Sequence, residues 1–491
     1  MLEIIVFVCG AVVMILEMVG SRILAPFLGT SIVVWTSLIG IILGSLSLGY
    51  YWGGKIADEN PSYRVLSIIL LLSAFFIAAV ALSKSLILGF VQQHAGSIHL
   101  GSAIATFVLF APPSILLGAV SPYAVRLKMD DLQRCGATVG SLYAISTVGS
   151  IFGTFLAGFF LIGFFGSTNI LIILSIVLVL TSLVASMKDR LAKLSGIGIL
   201  ITLFLAANAY DLYLASADVH DIDTHYSRIL IYNSVDPTTA RPVRVMMTGP
   251  RGRQSAMFLD NDIELACDYT KFYKLAHHFK PSMSKVLMLG GGGYSFPKYA
   301  MSHYPDVRMD VVEIDPEVSA LAGKFFALEE NPRLRILHAD ARTFLNTTNG
   351  KYDVILGDVF NSYYSIPFHL STIETVERYH GLLADDGVAL INMLCSIEGD
   401  AGRFLRAEYA TFKMVFPQVF LFPVAAPNDG SRWQNIMLVA LKSREKPAFD
   451  SEDPDLDGLL RHIWTGPIAR DLPHLVDDFA PVERYISTLS R

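Results

Sequence analysis

Lys285-Val-Leu-Met-Leu-Gly-Gly-Gly-Gly293, followed by Asp310-Val-Val-Glu-Ile-Asp315, decides how the C-terminal half of this chain folds. An apolar run ending in consecutive glycines reads as a short buried strand that enters a loop whose backbone a ligand can approach closely. Pro297 fits the first turn of the helix behind the glycines. Met309 to Glu313 reads as a second strand, and Asp315-Pro316 opens the next helix. The result is a βαβ unit. Further strands near 334–337, 352–356 and 388–393, with a helix around 372–383, continue the alternation. That order predicts a mainly parallel sheet flanked by helices. Ahead of it, residues 224–260 carry shorter β-rich pieces broken by Pro237, Pro242, Gly249 and Gly252, which suggest a small antiparallel sheet or lid.

The first half is a different kind of sequence. The 491-residue chain is 53% hydrophobic, too apolar for a wholly soluble protein of this length. Seven apolar stretches, at 3–25, 31–52, 64–83, 102–121, 140–163, 168–187 and 194–212, are long enough to cross a bilayer. The first carries Glu17 and lacks both a basic start and a small-residue cleavage site, so it reads as a span rather than a signal peptide. Domain boundaries follow: a helical membrane part over 1–212, a small β-rich part over 213–280 and an α/β part over 281–491.

Basic residues cluster in alternate loops: Lys55 and Arg64, then Arg126, Lys128 and Arg134, then Lys188, Arg190 and Lys193. The opposite side shows Arg22 and Lys84. The positive-inside rule then places the amino terminus in the cytoplasm and, after an odd number of spans, the C-terminal domain on the exoplasmic side. That domain stays cytoplasmic if the last stretch does not cross. Glu17 is the functional candidate within the membrane, where an ionisable group is costly and faces a bundle interior. Arg22 reads as snorkelling to the interface. Gly149-Ser-Ile-Phe-Gly153, with Gly158 and Gly163 beyond it, reads as close helix packing.

A formal charge of -6 with no basic stripe argues against a nucleic-acid partner. The cysteines Cys9, Cys135, Cys267 and Cys395 lie far apart with no Cys-x-x-Cys pair, so no metal site is expected, and a Cys267 to Cys395 disulfide has no support.

The glycine run lacks the spacing of a dinucleotide site. Glu313, however, ends the next strand about 20 residues on, where a carboxylate binds the two hydroxyls of a ribose. Asp340 ends the third strand, within reach of an adenine amino group, and Asp358 follows the fourth. Singly, each acid reads as a helix cap or a solvated strand end. Three at successive strand ends beside Gly290, Gly291 and Gly292 point to an adenosine site at the rim of the sheet.

Val286-Leu-Met-Leu-Gly-Gly-Gly-Gly, Val311-Val-Glu-Ile-Asp-Pro, His338-Ala-Asp-Ala-Arg, Tyr352-Asp-Val-Ile-Leu-Gly-Asp358 and Ile366-Pro-Phe-His-Leu-Ser-Thr372, in that order, resemble the spermidine synthase family over about residues 223–441. The whole chain resembles multispan membrane proteins that carry such a domain at their C-terminal end, through Glu17 to Gly29, Gly49 to Asp58 and Gly140 to Gly158. The resemblance implies an α-helical membrane domain of about seven spans, then a small β region and a Rossmann-like transferase domain using S-adenosylmethionine or its decarboxylated form. It implies that Glu313 holds ribose, Asp340 the adenine, and that Asp358 is the catalytic carboxylate. Substrate-side candidates are Tyr226, Glu264, Tyr273, Asn361, Tyr363 and His369, with Tyr364 beside them.

Departures from the family refine this expectation. Where the polyamine synthases carry an aspartate that grips the amine of decarboxylated S-adenosylmethionine, this chain has Gly293, and Asn361 and Glu264 replace an acceptor-side aspartate and glutamine. A buried ammonium without a partner is costly, whereas the carboxylate of intact S-adenosylmethionine could be taken by glycine amides. Methyl transfer to an amine or imidazole nitrogen therefore fits better than aminopropyl transfer. Similar seven-span proteins methylate the amino-terminal histidine of secreted copper oxygenases. Expected partners are the bilayer and either an amine-bearing small molecule or an exported peptide or protein, and a homo-oligomer is left open. A transporter fused to a nucleoside-binding domain is the other reading, because Gly49-Tyr-Tyr-Trp-Gly-Gly-Lys-Ile-Ala-Asp58 looks like a major-facilitator loop.

Overall fold

A computed structural model of the protein describes the chain except residues 130–134, 189, 249–251, 361–365 and 487–491, and the side chains at 192 and 211. Two compact units emerge, Met1–Ile229 and Leu230–Arg491.

Among its described residues the first unit has seven helices long and apolar enough to cross a membrane: α1 (Leu2–Leu28), α2 (Ile32–Glu59), α3 (Tyr63–His94), α4 (Ile98–Lys128), α5 (Cys135–Phe164), α6 (Ser167–Ala185) and α7 (Arg190–Ser216). Several run longer than the apolar stretches, because the helices continue into polar ends. Ser62 and Ser97 cap α3 and α4 by accepting from the amides of Arg64 and Leu100. The bundle is built on α1 against α5 and on α2 against α4. Glycine lets those pairs close. A Cβ on Gly149 or Gly153 of α5 would stand 2.1 Å from the Phe7 carbonyl oxygen or 2.4 Å from that of Ala11. Gly49 and Gly53, the start of the transporter-like segment, make the same close approach to Ile115 and Ala119 of α4.

Arg22 does not simply reach for solvent. Its guanidinium donates to the backbone carbonyls of Thr224 and His225, in the turn after β1 (His220–Asp223). Asp223 in turn accepts from the amide and hydroxyl of Ser167, at the start of α6. Glu17 sits half-buried in mid-α1, and among the described residues no hydrogen-bond or ion-pair partner meets its carboxylate.

In the C-terminal half, β2 (Arg228–Val235), β3 (Pro242–Met247) and β4 (Ser255–Phe258) pair antiparallel, in a small sheet of order β1-β2-β3-β4. The larger sheet has β5 (Lys285–Leu289), β6 (Arg308–Glu313), β7 (Leu334–His338), β8 (Tyr352–Phe360), β9 (Leu383–Cys395), β10 (Gln418–Pro423) and β11 (Gln434–Leu441), ordered β10-β11-β9-β8-β5-β6-β7. Strands β5 to β9 are parallel, and β10 and β11 close one edge antiparallel. Chain order runs outward from β5 to β7, then reverses through β8 to β9. The crevice beside β5 and β8 is therefore the switch point at which such sheets hold ligands. Helices α8 (Ser295–His303), α9 (Pro316–Phe325), α10 (Ala341–Thr347), α11 (Ile373–Leu382) and α12 (Arg403–Val415) join or flank the strands.

Candidate active site

The loop after β5 is tightly folded. Gly290 has φ +90°, and a Cβ there would lie 2.6 Å from the Asp358 carbonyl oxygen, so both conformation and space exclude a side chain. The Gly291 amide donates to Glu313 Oε2 at 2.8 Å, and Glu313 Oε1 accepts from the Asp315 amide at 3.0 Å. The Gly293 amide donates to Ser255 Oγ at 2.9 Å. The glycine amides thus have partners within the protein, contrary to their expected availability to a ligand carboxylate.

Above the ends of β5 to β8 opens a cavity of about 810 Å³. Gly290, Glu313, Asp340, Asp358 and His369 line it; Gly291 and Gly292 stand behind. Asp340 caps α10 through Oδ1, which accepts from the Thr343 amide at 2.8 Å, and its Oδ2 lies 3.7 Å from His369 Nε2. His369 is therefore on the adenine side of the expected arrangement.

Asp358 is held from two sides. Its Oδ1 accepts from buried Asn392 Nδ2 at 3.1 Å, and Asn392 Oδ1 accepts from Asn435 Nδ2 at 3.1 Å. The Tyr269 hydroxyl lies 3.2 Å from Asp358 Oδ2 and 3.1 Å from the Gln254 carbonyl oxygen. Both oxygens of Asp358 are thereby aimed, which suits a carboxylate that must accept a proton or hydrogen bond at a fixed place. Cys267 also lines the cavity. Desolvation, with Asp358 and Asp268 nearby, pushes its thiol up to about 11 against the pull of Arg253.

Three expected substrate-side residues stand elsewhere. Tyr273 is fully buried with its hydroxyl 3.4 Å from the Gly357 carbonyl oxygen, and serves as packing beneath the site. Burial, with Asp358 close by, raises its hydroxyl well above the ordinary tyrosine range. Glu264 is paired with Arg241 at 2.8 Å and does not line the cavity, and neither does half-exposed Tyr226. Asn361, Tyr363 and Tyr364 lie outside the described residues. The aromatic wall comes instead from Tyr269 and Trp433, which sequence reasoning missed along with Asn392, Asn435 and Arg253. Asp-Tyr at 268–269, four residues before Tyr273, was the available signal for Tyr269. Cys267 and Cys395 are both free. Among the described residues there is no acid, histidine and cysteine cluster that could hold a metal.

Residues 270–445 match the spermine/spermidine synthase domain. A polyamine aminopropyltransferase from Vibrio vulnificus is 28% identical over 236 residues, which is 47% of this chain and 75% of that protein. An N-terminal histidine N-methyltransferase from Emericella nidulans is 36% identical over 171 residues, 33% of this chain but only 29% of that protein. Among solved structures, a probable spermidine synthase from Corynebacterium glutamicum aligns with a TM-score of 0.40 and 23% identity, over 54% of this chain and 91% of that one. The C-terminal half of this chain therefore carries a spermidine-synthase-like domain, behind helices apolar enough to span a membrane, and is a transferase of the S-adenosylmethionine-dependent kind.

Proposed function

We propose that this protein is a membrane-anchored methyltransferase that uses intact S-adenosylmethionine and an amine or imidazole nitrogen as acceptor. The observation that carries this reading is the wall at Gly293. A Cβ there would stand 2.9 Å from Ser255 Cβ and 3.2 Å from Phe326 Cδ1, so the position that holds the amine-gripping aspartate in the polyamine synthases has neither carboxylate nor room for one. A decarboxylated cofactor would leave its ammonium with neither that partner nor a carboxylate of its own, whereas the ammonium of intact S-adenosylmethionine has the cofactor's own carboxylate beside it.

The residues present fit an adenosyl ligand. Along the sheet, Asp340 just beyond β7, Glu313 at the end of β6, the glycine loop after β5 and Asp358, among the last residues of β8 rather than after it, stand at the carboxyl ends of neighbouring strands in that spatial order. Asp340 would hold the adenine and Glu313 the ribose, which would bring the reacting end beside Asp358. When bound, the sulfonium supplies an electrophilic methyl carbon. Asp358 accepts a hydrogen bond from the attacking nitrogen and turns its lone pair toward that carbon, while Tyr269 and Asn392 keep the carboxylate from rotating. The face of Trp433 or Tyr269 suits a cationic centre.

The loop-charge asymmetry supports an exoplasmic catalytic domain, so that the acceptor is an exported peptide, protein or small amine. The test is calorimetric binding of S-adenosylmethionine and of its decarboxylated form to the full detergent-solubilised chain. Tighter binding of the intact form is expected. The reverse order would favour aminopropyl transfer, for which the Vibrio vulnificus relative, matched over 75% of its length, is the supporting observation.

A further inference from the structure

We infer that Arg253 is the receptor for the cofactor's carboxylate, and hence the residue that selects intact S-adenosylmethionine; this rests on the methyl-transfer reading above. Several observations converge on it. The glycine amides already face Glu313 and Ser255, so the carboxylate needs another donor. Ser255 begins β4 and abuts the glycine loop at Gly293, and Gln254 and Arg253, one and two residues upstream, line the cavity, with the Gln254 carbonyl meeting the same Tyr269 hydroxyl that faces Asp358. A ligand with adenine at Asp340 and ribose at Glu313 would carry its amino-acid tail beyond the glycine loop, toward Ser255 and this wall.

Arg253 is also prepared for an anion. Its Nη1 donates to Asp236 Oδ2 at 3.3 Å, and that carboxylate is fixed in turn by the Thr238 and Thr239 amides, which donate to Oδ1 at 3.0 and 2.9 Å. Among the described residues no acceptor meets Arg253 Nε or Nη2, which leaves one edge of the guanidinium for a two-point contact with a carboxylate. Nearby Asp268 and Asp358 would repel an anion without this cation. Arg432 also lines the cavity, next to Trp433 just ahead of β11, and is the rival donor that the experiment must separate from Arg253.

The experiment is calorimetry on the full-length protein in detergent with three ligands: S-adenosylmethionine, decarboxylated S-adenosylmethionine, and 5′-methylthioadenosine, which has no amino-acid tail. Wild type should favour the intact cofactor. Arg253→Gln should weaken its binding roughly 10- to 100-fold, the loss of a charge-assisted pair, and leave the other two ligands within about threefold. Arg253→Lys should fall between. Arg432→Gln should keep the preference. Retained binding of 5′-methylthioadenosine shows that the variant is folded. If Arg253→Gln keeps the wild-type preference, or Arg432→Gln loses it, the assignment to Arg253 is wrong while methyl transfer stands. If wild type itself prefers the decarboxylated form, the methyl-transfer reading falls.

Discussion

Asp358 and Glu313 are both acids at strand ends, yet their surroundings divide their roles. Asp358 lines the cavity and is steadied by Tyr269 and Asn392, as the proposed role beside an acceptor nitrogen requires. Asp358→Asn should lower turnover about 10²- to 10⁴-fold, the usual range for a lost general base, with cofactor affinity nearly unchanged in equilibrium binding. A parallel collapse of affinity would mean that Asp358 binds rather than reacts. Glu313→Ala should act the other way, weakening cofactor roughly 10- to 100-fold through lost charged hydrogen bonds and freeing the Gly291 amide. Normal affinity in that variant would remove Glu313 from the site. These acids were readable because each closes an apolar run in a regular βαβ series, Glu313 as the last residue of β6 and Asp358 near the end of β8. Asn392, Asn435, Tyr269 and Arg253 were not: they come from β9, β11, a single helical turn and a loop, and only the tertiary fold sets Asn392 behind Asp358 and the other three on the cavity wall.

At the level of elements, the βαβ strands were legible from apolar runs closed by glycine or acid, whereas the antiparallel β10–β11 edge was not anticipated. Helix α12 hides a feature that no pattern signals. Glu408 is fully buried on its inner face, and neither carboxyl oxygen meets a partner among the described residues. Burial raises this carboxyl well above its ordinary value of 4.5, so the folded state holds the proton more tightly than the unfolded chain. Its contribution to stability is complete below that ordinary value and declines as pH rises above it. Glu408→Gln should therefore unfold at a higher temperature than wild type, with a margin that grows from pH 5 to pH 8 toward about 1–3 kcal/mol; equal melting at pH 8 would refute the buried, unpaired state. In the membrane half, Gly153→Leu should destabilise the α1–α5 contact by roughly 1–3 kcal/mol through overpacking. Gly44→Ala, where a Cβ meets nothing within 4 Å, should be harmless. Thermal unfolding in detergent compares the two.

At the scale of the whole molecule, length and apolar composition made legible the seven helices able to span a membrane, and loop charge supplies a proposed direction. A reporter active only outside the cytoplasm, fused after the last residue, should be active; an inactive fusion that is stably made would place the domain on the inner side. If the domain works in an oxidising compartment, its free cysteines bear on its durability. Cys395 is buried in the core, and Cys267 on the cavity wall is held as the neutral thiol by desolvation and two carboxylates. Only a thiolate attacks disulfides or peroxide readily. The enzyme should thus resist mixed-disulfide formation at neutral pH without any disulfide of its own, and an iodoacetamide label at Cys267 should form slowly at pH 7 and speed up toward pH 10. The same carboxylate environment that serves transfer would then keep the pocket chemically quiet.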